Sequence, residues 1–241
     1  MENEIENQIE NQDENQDSRT EILLGKEALK KIKQAKVLIF GLGGVGSYVV
    51  EGLVRAGISD FILVDNDKIS KSNINRQIIA THKQIGKYKV DVEKERILEI
   101  NPKAKVETSK EFFLKDEKNI ITNKVDYIID AIDTISAKLE IIKKANDLKI
   151  PIISSMGTGN KLRPEMFEIT DINKTSVCPV AKIIRKELRN LGIKKLKVIY
   201  SKEEPIKTEE FLKTKKNGTV SFVPSVAGLM IAGEVIKDII K

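Results

Sequence analysis

The chain has 241 residues, 40% of them hydrophobic and only 5% aromatic, with no Trp. That is enough for one large domain with a core of Val, Ile and Leu. Cys178 stands alone, which excludes an intrachain disulfide and a cysteine-based zinc site and points to a reducing cytoplasm. No basic-then-apolar leader opens the sequence, and no apolar run approaches the ~20 residues of a membrane helix, so no membrane partner is expected. The net charge of +6 is unevenly placed: residues 1–20 carry seven acids against Arg19, a net −6, which leaves +12 on residues 21–241. A basic body fits a polyanion such as RNA, and equally the plain solvation of a Lys-rich surface.

Residues 1–18 repeat Glu-Asn and Glu-Asn-Gln with little to bury, and read as a disordered acidic tail. Leu23, Leu24, Leu29 and Ile32 then mark a short helical segment. From there strands and helices alternate. Strands are expected at 36–40, 60–65, 104–108, 127–130 and 151–154, with helices at 47–57, 86–100 and 135–147 between them. The third strand is reached after Asn101-Pro102, a proline-preceding stop. This rhythm predicts an α/β fold, a Rossmann-like, mostly parallel sheet with helices on both faces. It spans a Rossmann-like core over 19–159, followed by a C-terminal α+β elaboration over 160–241. In the elaboration, strands are expected at 165–170, 196–200 and 219–223, a basic helix at 179–191, a Lys-rich loop at 202–217 and a last helix at 225–239.

The first strand runs into Gly41-Leu42-Gly43-Gly44-Val45-Gly46-Ser47. A glycine-rich turn between strand and helix lets backbone N–H groups approach a phosphate, so Gly41, Gly43, Gly44 and Gly46 are candidate nucleotide-binding positions. Asp65, roughly 20 residues further on at the end of the second strand, is placed to accept hydrogen bonds from ribose hydroxyls, with Asp67 beside it. Asn73, Asn75, Arg76 and Gln77 follow, then Lys89. A dehydrogenase has no need of that cluster, whereas a triphosphate calls for it: Arg grips oxygens bidentately and Lys follows charge as a mobile point. Asp130 and Asp133 close the fourth strand, where a Mg²⁺ ion bridging phosphates is expected; one of them, or Thr134, would cap the next helix.

Taken in order, Gly-Leu-Gly-Gly-Val-Gly-Ser, Val-Asp-Asn-Asp, Ser-Asn-Ile-Asn-Arg-Gln, Ile-Gly-Lys-Tyr-Lys-Val and Asp-Ala-Ile-Asp-Thr resemble the ubiquitin-activating-like (E1-like) adenylating family. The resemblance implies activation of a carboxylate as an acyl-adenylate with ATP and Mg²⁺. It implies that Arg76, Lys89, Asp133 and Arg19 are the catalytic set, Arg19 reaching into the site of a partner subunit in a homodimer. Asp133 would serve the metal. Thr134 and Lys138 stand where the family usually has Asn and Arg. Members that activate a sulfur-carrier protein often carry two Cys-x-x-Cys zinc pairs, which this sequence lacks, so no zinc is expected. Further segments, among them Ser154–Lys161, Ile169–Asp171, Pro179–Arg185 and Phe222–Gly228, resemble the branch that dehydrates threonylcarbamoyladenosine at position 37 of tRNA. That branch implies tRNA as substrate and leaves room for a sulfur-relay protein partner. The alternatives are adenylation of a sulfur-carrier C-terminus and a plain nucleotide- or NAD-binding protein.

Lys182, Arg185, Lys186 and Arg189 fall at i, i+3, i+4 and i+7 on the basic helix, with Lys194, Lys195 and Lys197 close behind, and form a candidate tRNA-binding face. Cys178, before Pro179 at a helix start, reads as unreactive, and His82, the only His, as a polar loop residue.

Overall fold

The computed structural model describes residues 16–111, 113 and 120–241. Among them, seven strands form one sheet in the order β3-β2-β1-β4-β5-β7-β6: β1 Lys36–Phe40, β2 Asp60–Val64, β3 Lys105–Ser109, β4 Tyr127–Asp130, β5 Ile152–Ser155, β6 Phe167–Asp171 and β7 Lys197–Ser201. All neighbours are parallel except β6 and β7. The elaboration therefore extends the same sheet, β7 pairing with β5 and β6 turning back along the edge.

Both faces are covered, and β1 shows why its sequence is apolar from Val37 to Phe40. Val37 and Ile39 enter one core, with helices α2 (Lys26–Gln34), α3 (Gly46–Ala56), α4 (Lys89–Ile100) and α8 (Phe222–Ile240). Leu38 and Phe40 enter the other, with α5 (Ile135–Leu148) and with Phe113, whose ring lies 4.7 Å from that of Phe40. A strand buried on both faces reads as a continuous hydrophobic run. A third cluster packs α6 (Pro179–Asn190) over β7, with Ile184, Leu188, Val198 and Tyr200. No helix among the described residues is long and apolar enough to cross a membrane.

Several boundaries differ from the sequence reading. Residues 1–15 of the expected tail lie outside the described residues. Its last two do not belong to a tail: Asp17 is buried, its carboxylate is 2.6 Å from Lys33 Nζ, and helix α1 begins at Ser18 and runs to Leu24. The helical segment after it is two helices, α1 and α2, because Gly25 at φ +85° interrupts it. Helix α4 begins at Lys89 rather than 86, since Gly86 takes a left-handed φ and Tyr88 bridges back to Lys68. The strand expected at 219–223 is absent. Helix α8 begins at Phe222 and takes Pro224 into its first turn, where an N–H has no intrahelical acceptor and its loss costs nothing. The Lys-rich loop carries one short helix, α7 (Glu209–Thr214), capped by Thr208 Oγ1, which accepts from the Phe211 N–H at 3.1 Å.

A polar network ties α8 to the sheet. Asp238 Oδ2 accepts from Tyr127 Oη at 2.7 Å and from Lys197 Nζ at 2.5 Å, while Oδ1 accepts from Lys241 Nζ at 2.8 Å. Lys197, expected among RNA-facing cations, is thus committed to the fold. Partial burial would push the Asp238 carboxyl up, but hydrogen bonds from Lys197, Lys241 and Tyr127 outweigh it and hold the pKa at about 2. A carboxyl depressed on folding contributes stability above its unfolded pKa and loses it as pH falls through the folded one. The melting temperature should therefore drop more steeply between pH 4 and 2 in the wild type than in Asp238→Asn, as followed by circular dichroism.

Candidate functional site

The C-terminal ends of β1 and β4 meet where the strand order reverses, the place where open α/β sheets bind ligands. A cleft of about 560 Å³ opens there. Its inner wall is the glycine turn. Gly41 has φ +86°, and a Cβ on it would lie 2.8 Å from the Ala131 carbonyl oxygen at the end of β4. A Cβ on Gly46 would sit 1.8 Å from the Gly41 carbonyl oxygen, so no side chain fits. Those two glycines are steric requirements of the turn. Gly43 and Gly44 line the cleft itself, just before α3, whose positive N-terminal end suits an anion even though the Ser47 and Tyr48 N–H groups already donate to the Gly43 and Val45 carbonyls at 3.1 Å. Pro224, from the first turn of α8, closes on Gly44: a Cβ there would be 3.1 Å away. Gly228 lets α8 come that close, since a Cβ on it would stand 2.5 Å from the Val45 carbonyl oxygen.

Asp65 fastens this turn to β2. Its Oδ2 accepts from the Leu42 N–H at 2.7 Å and its Oδ1 from the Asp67 N–H at 2.8 Å. Burial raises its pKa, against the pull of Lys89 and the two N–H groups. Each carboxylate oxygen keeps a second lone pair for a ribose hydroxyl. Lys89 is buried at the start of α4, with Nζ 2.6 Å from Asp67 and 3.7 Å from Asp65. It lines the cleft as one member of an ion cluster, not as a free cation reaching outward.

The segment after β2 holds the second cation. Asn73 Oδ1 accepts from the Ser70 N–H at 2.9 Å and thereby shapes the turn. Arg76 Nη1 donates to the Ser72 carbonyl at 2.8 Å and to Asn75 Oδ1 at 3.0 Å. Asn73, Arg76 and Gln77 line the cleft; Asn75 is exposed outside the lining and acts on it through Arg76. Gln77 is buried, and its Oε1 has no hydrogen-bond partner among the described residues, a carbonyl still able to accept from a bound molecule.

The two aspartates after β4 divide sharply. Asp130 is fully buried: Oδ2 accepts from Lys138 Nζ at 2.9 Å and from Ser154 Oγ at 2.5 Å. Lys138 Nζ also donates to the Ser155 carbonyl at 2.7 Å, so this pair joins the ends of β4 and β5 beneath the cleft. Asp133 is exposed in the cleft wall, and among the described residues its Oδ1 meets only Thr134 Oγ1, at 3.4 Å. Thr134 is the N-cap residue of α5, without a side-chain capping bond. Asp133 is accordingly the carboxylate able to serve a metal, and Asp130 is not.

The outer wall comes from residues that the sequence motifs did not assign. Ser155–Gly159 follow β5 along the cleft. Val180, in the first turn of α6, flanks Gly157, and Asn217 flanks Gly159. Asn160, at φ +58°, clips the two segments together. Its Nδ2 donates to Asn217 Oδ1 at 2.8 Å and its Oδ1 accepts from the Gly218 N–H at 2.7 Å. An Asn following Gly-x-Gly after a strand is the signal that could have found it, since Asn tolerates the left-handed region.

Other expected residues lie away from the cleft. Arg19 is exposed on α1 and lines no part of it. On α6, Lys182, Lys186 and Arg189 are exposed, but Arg185 turns inward: Nη1 donates to Thr175 Oγ1 at 2.6 Å and to its carbonyl at 3.0 Å. Arg185 secures the turn before α6, and the cationic face is three residues rather than four. Cys178 is buried among apolar side chains and His82 is exposed on a short turn.

An anion-ready turn, two cations and a free carboxylate across a strand switch point define a nucleotide-binding α/β protein. The ThiF family matches residues 17–241, and the chain belongs to it. It is 40% identical over 239 residues to the tRNA threonylcarbamoyladenosine dehydratase of Bacillus subtilis, covering 93% of this chain and 94% of that one. Its structure resembles E. coli tRNA N6-threonylcarbamoyladenosine dehydratase in complex with ATP, with a TM-score of 0.85 at 29% identity over 93% of each chain. E. coli MccB with ATP shares the fold, with a TM-score of 0.67 at 21% identity over 95% of this chain and 64% of that one.

The buried ion pair can be tested directly. Lys138→Met strands Asp130 without its cation and should cost about 3–5 kcal/mol in urea denaturation, as breaking buried pairs does. The double variant Asp130→Asn/Lys138→Met should recover part of that loss.

Proposed function

We propose that this chain is an ATP-dependent enzyme that cyclises threonylcarbamoyladenosine at position 37 of tRNA by way of an acyl-adenylate. The observation that carries the reading is the arrangement of the cleft: the glycine turn, Arg76 and the exposed Asp133 face one space, while the strip Ser155–Gly159 leaves a second wall for the acceptor. The substrate carboxylate attacks the α-phosphorus of ATP and pyrophosphate leaves. A nucleophile of the same substituent then attacks the acyl carbon, closing a ring and expelling AMP, for a net loss of one water. The second step is intramolecular, so orientation supplies most of what it needs, effective molarities reaching roughly 10⁵ M or more.

The chain's own groups act mainly in the first step. The turn N–H groups and Arg76 hold the phosphates as charge builds on the leaving pyrophosphate. Lys89 sets the local charge from within its cluster with Asp65 and Asp67. Asp65 holds the ribose side and the turn together. Asp133 fits Mg²⁺, which binds through one or two carboxylates plus phosphate oxygens and water; when bound, the ion neutralises phosphate charge. The compartment is the reducing cytoplasm to which the single cysteine points.

Arg19 acts in this reading across a homodimer. Ile22 and Leu23 on the same helix are 79% and 81% exposed, an apolar pair suited to cover by a second copy. Sedimentation should give a dimer at micromolar concentration, and Ile22→Asp/Leu23→Asp should shift it to monomer; a monomeric wild type would contradict the reading.

ATP–pyrophosphate exchange should require tRNA carrying the modification. Arg76→Ala and Asp133→Asn should each slow it about 100-fold or more, the scale of losing charge stabilisation at the reacting phosphates, while melting stays near wild type. Near-normal exchange in either variant would reject its role.

A further inference from the structure

Three lysines stand at the end of the segment that leads into the cleft wall at Asn217. Lys213, Lys215 and Lys216, at the end of α7 and just beyond it, are all exposed. No acidic side chain among the described residues pairs with any of them, whereas Lys202 of the same segment pairs with Glu168 and Lys197 with Glu234 and Asp238. Three acids of the segment lie apart from these lysines. Glu203 accepts the N–H groups of Leu162 and Arg163, and Glu209 and Glu210 occupy the first turn of α7. A favourable helix dipole accounts for Lys213 in the last turn of α7, but not for Lys216 beyond the cap.

Their placement is fixed by the clip already described. Lys216 directly precedes Asn217, and Asn217–Thr219 line the cleft. Asn160 holds Asn217 and Gly218 from one side, and Asn75 Nδ2 donates to the Thr219 carbonyl at 3.1 Å from the other. The cations therefore sit at the end of a segment anchored both to the acceptor strip and to the loop of Arg76. At Gly157 of that strip, Val180 stands in the first turn of the helix that carries Lys182 and Lys186. A nucleotide entering along the strip would carry its neighbouring phosphates past positive charge from both segments.

We propose that Lys213, Lys215 and Lys216 bind the backbone phosphates of the RNA strand next to the nucleotide being modified, so that the anticodon loop is gripped at the cleft mouth. This rests on the function proposed above. Each phosphate neutralised in a single strand changes the slope of log affinity against log salt by roughly 0.7, so three contacts amount to about 2.

The test compares the wild type with Lys213→Glu/Lys215→Glu/Lys216→Glu, measuring tRNA dissociation constants at several salt concentrations and ATP binding in parallel. The variant should bind tRNA at least about tenfold more weakly with a flatter slope, the slope falling by up to about 2, and should bind ATP as the wild type does. A photoreactive residue at position 216 should crosslink to nucleotides flanking position 37. Unchanged affinity and slope, crosslinks confined to another arm of the tRNA, or loss of ATP binding would overturn the proposal. A wild type that neither binds nor modifies tRNA would instead overturn the underlying function, and this grip with it.

Discussion

The contact between Gly46 and the Gly41 carbonyl governs the rest of the site. With the two backbones pressed together where a Cβ would fall within 1.8 Å of oxygen, the turn has one shape. Everything that makes the cleft is fastened to that shape. Asp65 holds the Leu42 N–H from β2, the Ala131 carbonyl backs Gly41 from β4, and α8 lies against Val45 through Gly228. Three separate parts of the sequence therefore converge on seven residues. The convergence delivers Pro224, more than 170 positions away, to the wall beside Gly44. A preorganised anion site of this kind needs no rearrangement when charge develops, which is where electrostatic stabilisation gains its strength.

Around the turn, polar side chains fall into two populations. Lys138 with Asp130, and Lys89 with Asp65, are paired in surroundings of low exposure and set the positions of strand ends, while Asp67 meets Lys89 from the exposed side. Asp133, the Gln77 carbonyl and the lysines at 213, 215 and 216 have capacity left over. The first population builds the site and the second is available to a ligand. Buried pairs of the first kind contribute little net stability over apolar replacements but are costly to break singly, which confines variation there.

Much of this was legible in the sequence where it depends on local pattern. The apolar runs at 36–40 and 127–130, the glycine turn, and the alternation with helices follow from burial on both faces of a parallel sheet. The ThiF membership and the segment order carried the motif residues Gly43, Gly44, Asp65, Asn73, Arg76, Gln77, Lys89 and Asp133 into one cleft. What escaped depends on contacts distant in sequence. Nothing local distinguishes Asp130 from Asp133; the difference is Lys138 and Ser154 arriving from α5 and β5. Arg185 sits in the right helical register for a cationic face, yet the Thr175 carbonyl draws it inward. The segment 219–223, with Val220, Phe222 and Val223, suits a strand or a helix equally, and the packing of α8 on α3 decides for the helix. Asn160 and Asn217, 57 positions apart, become a clip only when the fold brings them together.

The central claim is that the cleft transfers adenylate to a carboxylate borne by tRNA, and oxygen tracing tests it most directly. With ¹⁸O in the threonyl carboxylate of the modified nucleoside, attack on the α-phosphorus leaves one labelled oxygen on the AMP phosphate when the ring closes. Mass spectrometry of the nucleotide product should find AMP carrying one ¹⁸O per ring formed. Unlabelled AMP, or ADP with the label in inorganic phosphate, would contradict the account.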